Sequence, residues 1–139
     1  MQNSKPILLV EDDLVDVMTV QRALEDLNVP NKLVHAADGQ KALEYVTNEN
    51  NERPYVILLD LNMPRMNGFE FLRIVKADSA LKKIPVIALT TSKNKEDIAQ
   101  SFELGVAGYI VKPIDYEEFR GAISIIDSYW TLSEVPESE

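Results

Sequence analysis

The sequence contains no cysteine. This absence excludes disulfide bonds, thiolate metal ligands and cysteine nucleophiles, and it is compatible with a reducing compartment. Basic residues are in the minority, because 14 Lys and Arg stand against 23 Asp and Glu, which gives a formal net charge of −9. We therefore expect no general attraction to nucleic acid or to anionic lipid.

Long apolar runs are missing as well. No run approaches the ~18 residues of a membrane span, and the first five residues, Met-Gln-Asn-Ser-Lys, lack the apolar core of a signal peptide. A length of 139 residues fits one domain with one core. The sequence predicts a soluble, cytoplasmic protein without an attached output module.

Five short runs rich in Val, Ile and Leu predict β-strands. Four of them are apolar almost throughout, which is typical of strands buried on both faces of a parallel sheet. The predicted strands are Ile7–Val10, Lys32–Ala36, Val56–Leu59, Pro85–Leu89 and Tyr109–Val111.

Between the strands, apolar residues recur at helical spacing. Asn94 and Asp115 precede two of these segments as N-caps, whereas Asp38-Gly39 and Asn67-Gly68 predict turns. The five predicted apolar faces consist of Val17, Val20, Leu24 and Leu27; Leu43 and Val46; Phe69, Leu72 and Val75; Ile98 and Phe102; and Phe119, Ile123, Ile126 and Trp130.

This alternation is a βα unit repeated five times, whose right-handed crossovers cover both faces of the sheet. We predict a doubly wound α/β fold with a five-stranded parallel sheet in the flavodoxin-like order 2-1-3-4-5. The domain spans residues 5–130. Residues 131–139 are polar, acidic and interrupted by Pro136, so a disordered tail is predicted there.

Four chemically different side chains lie where predicted strands end: Asp12, Asp60, Thr90 and Lys112. The carboxyl ends of parallel strands meet at one edge of the sheet, where ligand sites form. With Glu11, this edge would hold three carboxylates, whose mutual repulsion calls for a cation. Mg²⁺ is commonly held by such carboxylates.

The same set suits phosphoryl transfer. A carboxylate attacks a phosphoryl group when the charge on that group is neutralised. Asp60 would be the acceptor and would form an aspartyl phosphate. Lys112 would add positive charge, and the Thr90 hydroxyl would bond a phosphoryl oxygen. Each residue alone also fits a solvated turn, a helix start or a β-branched strand position; their joint placement favours the functional interpretation.

Four motifs resemble the receiver domain of two-component response regulators over about residues 5–130. They are Val10-Glu-Asp-Asp13, Leu58-Leu-Asp-Leu-Asn-Met-Pro64 with Gly68, Leu89-Thr-Thr-Ser92 and Val111-Lys-Pro113. The resemblance implies a phosphoacceptor regulator and not an enzyme. It also implies that Asp60 takes the phosphoryl group from a phosphohistidine of a sensor kinase or of a histidine phosphotransfer protein.

The resemblance further implies a metal site. Glu11, Asp12 and Asp60, together with the backbone carbonyl of Asn62, are expected to hold Mg²⁺ directly or through water, and Mn²⁺ is expected to substitute for it.

It implies a switch as well. Thr90 and Lys112 are expected to contact the phosphoryl oxygens, Tyr109 matches the switch aromatic, and the Lys112–Pro113 peptide is expected to be cis. The readout surface would be the fourth helix, the fifth strand and the fifth helix, which would alter protein–protein binding. Ile114 departs from the aromatic that many chemotaxis-type receivers carry there.

A narrower resemblance, carried by Asp16, by Leu89–Ser92 and by the end of the last helix, is to stand-alone regulators that partner bacterial phytochromes, often as dimers. Tyr129 and Trp130 are therefore expected at a dimer or kinase contact. Packing of Trp130 against the sheet of its own chain is the alternative.

Other functions fit less well. A flavin or nucleotide binder of this fold would need a phosphate cradle after the first strand, where Glu11-Asp12-Asp13 would repel phosphate. A phosphatase of the haloacid-dehalogenase type would need a second acid at Asn62. A degenerate receiver used only for docking would not need the complete set of site residues. The one histidine, His35, has no second metal ligand nearby in sequence, so a structural or surface role is expected.

Overall fold

The computed structural model describes residues 5–63 and 66–132, without the side chains of residues 125 and 127–132. Five parallel strands lie in the order β2-β1-β3-β4-β5 and alternate with helices, which confirms the predicted fold. The elements are β1 Ile7–Val10, α1 Leu14–Asp26, β2 Leu33–Ala36, α2 Gly39–Thr47, β3 Val56–Asp60, α3 Gly68–Ala77, a 3-10 turn Leu81–Lys83, β4 Val86–Thr90, α4 Lys95–Glu103, β5 Gly108–Val111 and α5 Tyr116–Leu132.

The central strands are buried on both faces. Alternate residues of β1 enter opposite halves of the core, as Leu8 packs on the side of α2 and α3 while Leu9 packs on the side of α1 and α5. Every residue of β1, β3 and β4 is buried. Burial on both faces explains why these strands are continuously apolar, and why each was predicted to within one residue at either end.

The register of the sheet aligns its carboxyl ends. Val10 pairs with Leu59, Asp60 with Leu89, and Thr90 with Val111. Asp60 and Thr90 are therefore the last residues of β3 and β4, and the chain leaves the sheet at the same edge each time.

Short polar side chains start the helices. Asp13 caps α1 and Asn94 caps α4, each by accepting a backbone N–H. Asp38 and Asn67 cap α2 and α3 in the same way, and Asn67 forms a capping box with Glu70. The turns predicted at Asp38-Gly39 and Asn67-Gly68 are therefore helix starts.

The predicted apolar face of α4 is wrong at one position. Phe102 is 48% exposed, whereas Ser101 is fully buried and donates a hydrogen bond to the Asp97 carbonyl. Two large apolar residues, Ile98 and Phe102, in a nine-residue helix are too few to define which side faces the sheet.

At the carboxyl end, α5 includes Thr131 and Leu132, two residues beyond the predicted domain boundary. Residues 133–139 of the predicted tail lie outside the described residues, as do the side chains of Tyr129 and Trp130. Among the helices of the described residues, none combines the length and the hydropathy needed to span a bilayer.

Candidate functional site

The carboxyl edge of the sheet brings the predicted site residues together. Glu11 directly follows β1, Asp60 and Thr90 end β3 and β4, and Lys112 directly follows β5. Glu11 and Thr90 are fully buried, Asp60 is 5% exposed, and Asp12 is open to solvent. Of these side chains, Asp12 is therefore the one that solvent reaches.

Lys112 is the centre of the charge network. Its Nζ lies 2.6 Å from Glu11 Oε1, 2.7 Å from Asp16 Oδ2 and 3.5 Å from Asp60 Oδ2. Burial alone would lower the pKa of Lys112, but the hydrogen bonds to Asp16 and Glu11 and the charge of Asp60 raise it above its usual value. The ammonium is therefore charged at neutral pH. The peptide between Lys112 and Pro113 is cis.

Three carboxylates form a compact acidic cluster beside this ammonium. One oxygen from each of Glu11, Asp12 and Asp60 lies within 4.8 Å of the others. Burial, reinforced by Asp60, raises the pKa of Glu11 to about 8 in spite of the neighbouring Lys112. Holding all three groups ionised requires more positive charge than Lys112 provides, so the donor set fits a hard divalent cation bound through oxygen.

Asp60 is fixed by its own backbone neighbourhood. Its Oδ1 accepts the backbone N–H of Asn62 over 3.0 Å, while Oδ2 faces Lys112. The Gly68 N–H donates to the Leu61 carbonyl over 3.1 Å and so ties the start of α3 to the end of β3. The Asp60 carboxylate is thereby held in place within the acidic cluster.

Thr90 and Tyr109 are connected through Ser92. The Thr90 hydroxyl accepts the side-chain N–H of Asn62 over 3.0 Å and the backbone N–H of Ser92 over 3.2 Å. The Tyr109 hydroxyl donates to the Ser92 carbonyl over 3.0 Å. The loop after β4 thus links the end of β4 to the aromatic ring on β5.

Sequence reasoning missed two polar contacts of the site. Asp16 was noted only as a family feature, yet it makes one of the two short ion pairs of Lys112. Its place in the first turn of a helix that starts directly after the acidic run was the available signal. Asn62 was expected to contribute only its backbone carbonyl, but its side chain also donates a hydrogen bond to the Thr90 hydroxyl.

His35 makes a structural contact. Its Nε2 lies 2.7 Å from the Glu11 carbonyl oxygen.

A family model, a protein of known sequence and solved structures all match this chain as response regulators. Residues 7–124 match the family model described as response regulator receiver domain. The chain is 38% identical over 130 residues to the response regulator Rcp1 of Synechocystis, which covers 91% of this chain and 88% of that protein.

Two solved structures have the same fold and the same level of identity. The Mn²⁺-bound form of Rcp1 superposes with a TM-score of 0.77 at 38% identity, covering 95% of this chain and 97% of that one. The phosphorylated cyanobacterial phytochrome response regulator RcpA gives a TM-score of 0.79 at 38% identity, covering 96% and 98% of the two chains.

Proposed function

This chain belongs to the response regulator receiver domain family, whose members act as phosphoacceptors, and we propose on that premise that Asp60 is its phosphoacceptor. The observation that carries the proposal is the placement of Asp60 within the acidic cluster and 3.5 Å from the Lys112 ammonium. A nucleophilic carboxylate, a metal-binding cluster and a fixed cation are the three parts that phosphoryl transfer to an aspartate needs.

Divalent metal binding is supported by the cluster and by the Mn²⁺-bound relative, and we propose Mg²⁺ as the ion in this chain. Glu11, Asp12 and Asp60, with the backbone carbonyl of Asn62, would hold it, and Mn²⁺ would substitute. When bound, the ion supplies positive charge to the phosphoryl oxygens.

The transfer step uses residues of this chain. A carboxylate oxygen of Asp60 forms a bond to phosphorus as the P–N bond of the donor phosphohistidine breaks, and the electron pair of that bond returns to the imidazole nitrogen. Lys112 stabilises charge on the phosphoryl oxygens. In slow autodephosphorylation, water attacks phosphorus, the bond to Asp60 breaks, and the products are phosphate and the free carboxylate.

The switch would begin at Thr90. A phosphoryl group on Asp60 adds acceptor oxygens to which the Thr90 hydroxyl can donate its proton, because its hydrogen bonds with Asn62 and Ser92 use it only as an acceptor. Movement of the hydroxyl toward the phosphoryl group would pull on the Ser92 backbone. Because the Tyr109 hydroxyl is bonded to Ser92, this movement would reach the surface formed by α4, β5 and α5. That surface would then change its affinity for a downstream protein or for a second copy of the chain.

The proposed phosphodonor is a sensor histidine kinase or a histidine phosphotransfer protein. The similarity to Rcp1 and to the phytochrome regulator RcpA supports a phytochrome-type kinase as the first to test. We further propose that Tyr129 and Trp130 contribute to a dimer or kinase contact, with packing of Trp130 against the sheet of its own chain as the alternative. Analytical ultracentrifugation with and without phosphodonor tests the homodimer.

The decisive experiment is to measure the mass of the intact protein after incubation with a small phosphodonor, with and without Mg²⁺. We expect a Mg²⁺-dependent gain of one phosphoryl group in the wild type and in Asp13→Asn, whose carboxylate caps α1 outside the acidic cluster. Asp60→Asn should show no gain. Phosphorylation of Asp60→Asn at the wild-type rate would refute the assignment of Asp60, and no gain in any sample would favour the docking-module function.

A further inference from the structure

Lys112 makes two short ion pairs, and only one of them involves a residue of the acidic cluster. Glu11 belongs to the cluster, whereas Asp16 lies in the first turn of α1. The distance from Lys112 Nζ to Asp16 Oδ2 is 2.7 Å, which is 0.8 Å shorter than the 3.5 Å to Asp60 Oδ2. In this structure the ammonium is therefore held more closely by Asp16 than by the phosphoacceptor.

We propose that Asp16 is a positioning residue for phosphoryl transfer, which holds Lys112 back from Asp60 until a phosphoryl group competes for the ammonium. This inference rests on the proposed function of Asp60. It adds a residue outside the metal-binding and phosphoryl-binding set, and it predicts that Asp16 favours the unphosphorylated state.

The pair is only partly exposed to water, which supports a restraint of moderate strength. The Lys112 side chain is 8% exposed and that of Asp16 is 24% exposed. An ammonium has three N–H donors. Glu11 and Asp16 occupy two of them at short distance, so the third meets Asp60 only at the outer limit of a hydrogen bond.

Asp16 shifts the equilibrium between the unphosphorylated and the phosphorylated protein by the difference between its interactions with Lys112 in the two states. When Lys112 binds a phosphoryl oxygen on Asp60, its contact with Asp16 must lengthen or break. Removing that contact from the unphosphorylated protein should therefore favour binding of a phosphoryl group at Asp60.

If Asp16 had a purely structural role, Asp16→Asn would not change the affinity for a phosphoryl analogue. A carboxylate in the first turn of a helix interacts favourably with the helix dipole, so Asp16→Asn is expected to lower stability under either interpretation. The affinity for the analogue therefore separates the two roles, and stability does not.

The test is ¹⁹F NMR titration with beryllofluoride, a phosphoryl analogue, at saturating Mg²⁺. We expect Asp16→Asn to bind beryllofluoride about two- to fivefold more tightly than the wild type, the size of effect that a partly exposed ion pair provides. Asp16→Glu should restore the wild-type affinity. Asp26→Asn removes the same charge from the exposed far end of α1 and should leave the affinity unchanged.

A double-mutant cycle identifies the route of the effect. If Asp16 acts through Lys112, the gain from Asp16→Asn disappears in a Lys112→Met background. A gain that persists there would mean direct repulsion between Asp16 and the analogue and would overturn the proposal. Unchanged or weaker binding by Asp16→Asn would overturn it too. If the wild type itself binds no beryllofluoride, the proposed function of Asp60 fails and the role of Asp16 fails with it.

Discussion

The α-carbon of Gly68 lies directly against the backbone of Asp60. A Cβ atom at position 68 would stand 2.5 Å from the Asp60 carbonyl oxygen and 2.5 Å from the Leu61 α-carbon. Both neighbours are backbone atoms, which cannot rotate away. The first residue of α3 is therefore part of the support that fixes Asp60 at the end of β3.

We expect Gly68→Ala to destabilise the fold by about 1–3 kcal/mol, the usual cost of overpacking a tight site. The displaced strand end should also slow phosphorylation of Asp60. Urea unfolding and the rate of mass gain with a small phosphodonor measure the two effects.

Gly121→Ala is the matched control. Gly121 lies inside α5, and among the described residues nothing beyond its chain neighbours and its own helix backbone lies within 4 Å of a Cβ placed there. Alanine at this position should stabilise the protein by about 0.5–1 kcal/mol, because it favours the helix without a close contact. Equal stability changes in the two variants would contradict the close contact at Gly68.

Asp12 and Asp13 are adjacent acids with separate tasks. Asp12 belongs to the acidic cluster, whereas Asp13 accepts the backbone N–H of Val15 over 2.9 Å and caps α1. We expect Asp12→Ala to lose Mg²⁺ binding, measured by calorimetry, and to keep its stability. Asp13→Ala should lose about 1 kcal/mol of stability with the cap and keep Mg²⁺ binding. A reversed pattern would reassign the metal ligand to Asp13.

The sequence was sufficient to predict the fold and to predict which side chains meet at the carboxyl edge of the sheet, because both depend on strand ends. Continuous apolar runs identify β1, β3 and β4, and the residue that ends each run is located by the same pattern. Once the strand order is set, the meeting of Asp12, Asp60 and Lys112 at one edge follows from topology.

The contacts that were missed depend on side-chain direction. Asp16 and Lys112 are 96 positions apart, and no periodicity shows which carboxylate an ammonium selects. The helix starts at Asp38 and Asn67 were taken for turns because the same residue types favour both structures. On α4, the exposure of Phe102 is set by tertiary packing, which a face of two apolar residues does not specify.

The hydroxyl of Tyr109 restrains the loop after β4 through the Ser92 carbonyl. Tyr109→Phe keeps the ring and removes this hydrogen bond, so amide hydrogen exchange should accelerate in residues 91–94. The cost in stability should be about 0.5–1.5 kcal/mol. The acidic cluster is untouched, so Mg²⁺ affinity should not change.

Tyr45→Phe serves as the control for Tyr109→Phe, because the Tyr45 hydroxyl bonds the Glu52 carbonyl over 3.3 Å, away from the site. It should leave exchange in residues 91–94 at the wild-type rate. Wild-type exchange in Tyr109→Phe would show that the loop is held by other contacts.

Lys76 offers a prediction for alkaline pH. Its Nζ donates to the carbonyls of Lys82 and Ile84 over 3.0 and 2.9 Å, which ties α3 to the 3-10 turn. Burial lowers the pKa of Lys76 below its ordinary value of 10.5. Between the lowered pKa of Lys76 in the folded protein and 10.5, the unfolded chain holds the proton that the folded chain has released, so stability rises with pH through this window.

The free energy of unfolding of wild type, relative to Lys76→Met, should therefore increase as pH approaches 10.5. Urea titrations of both proteins across this range measure the difference. A difference that stays flat would mean that the ammonium is solvated in the folded protein, and a decrease would mean that the two carbonyls stabilise its charged form more than burial disfavours it.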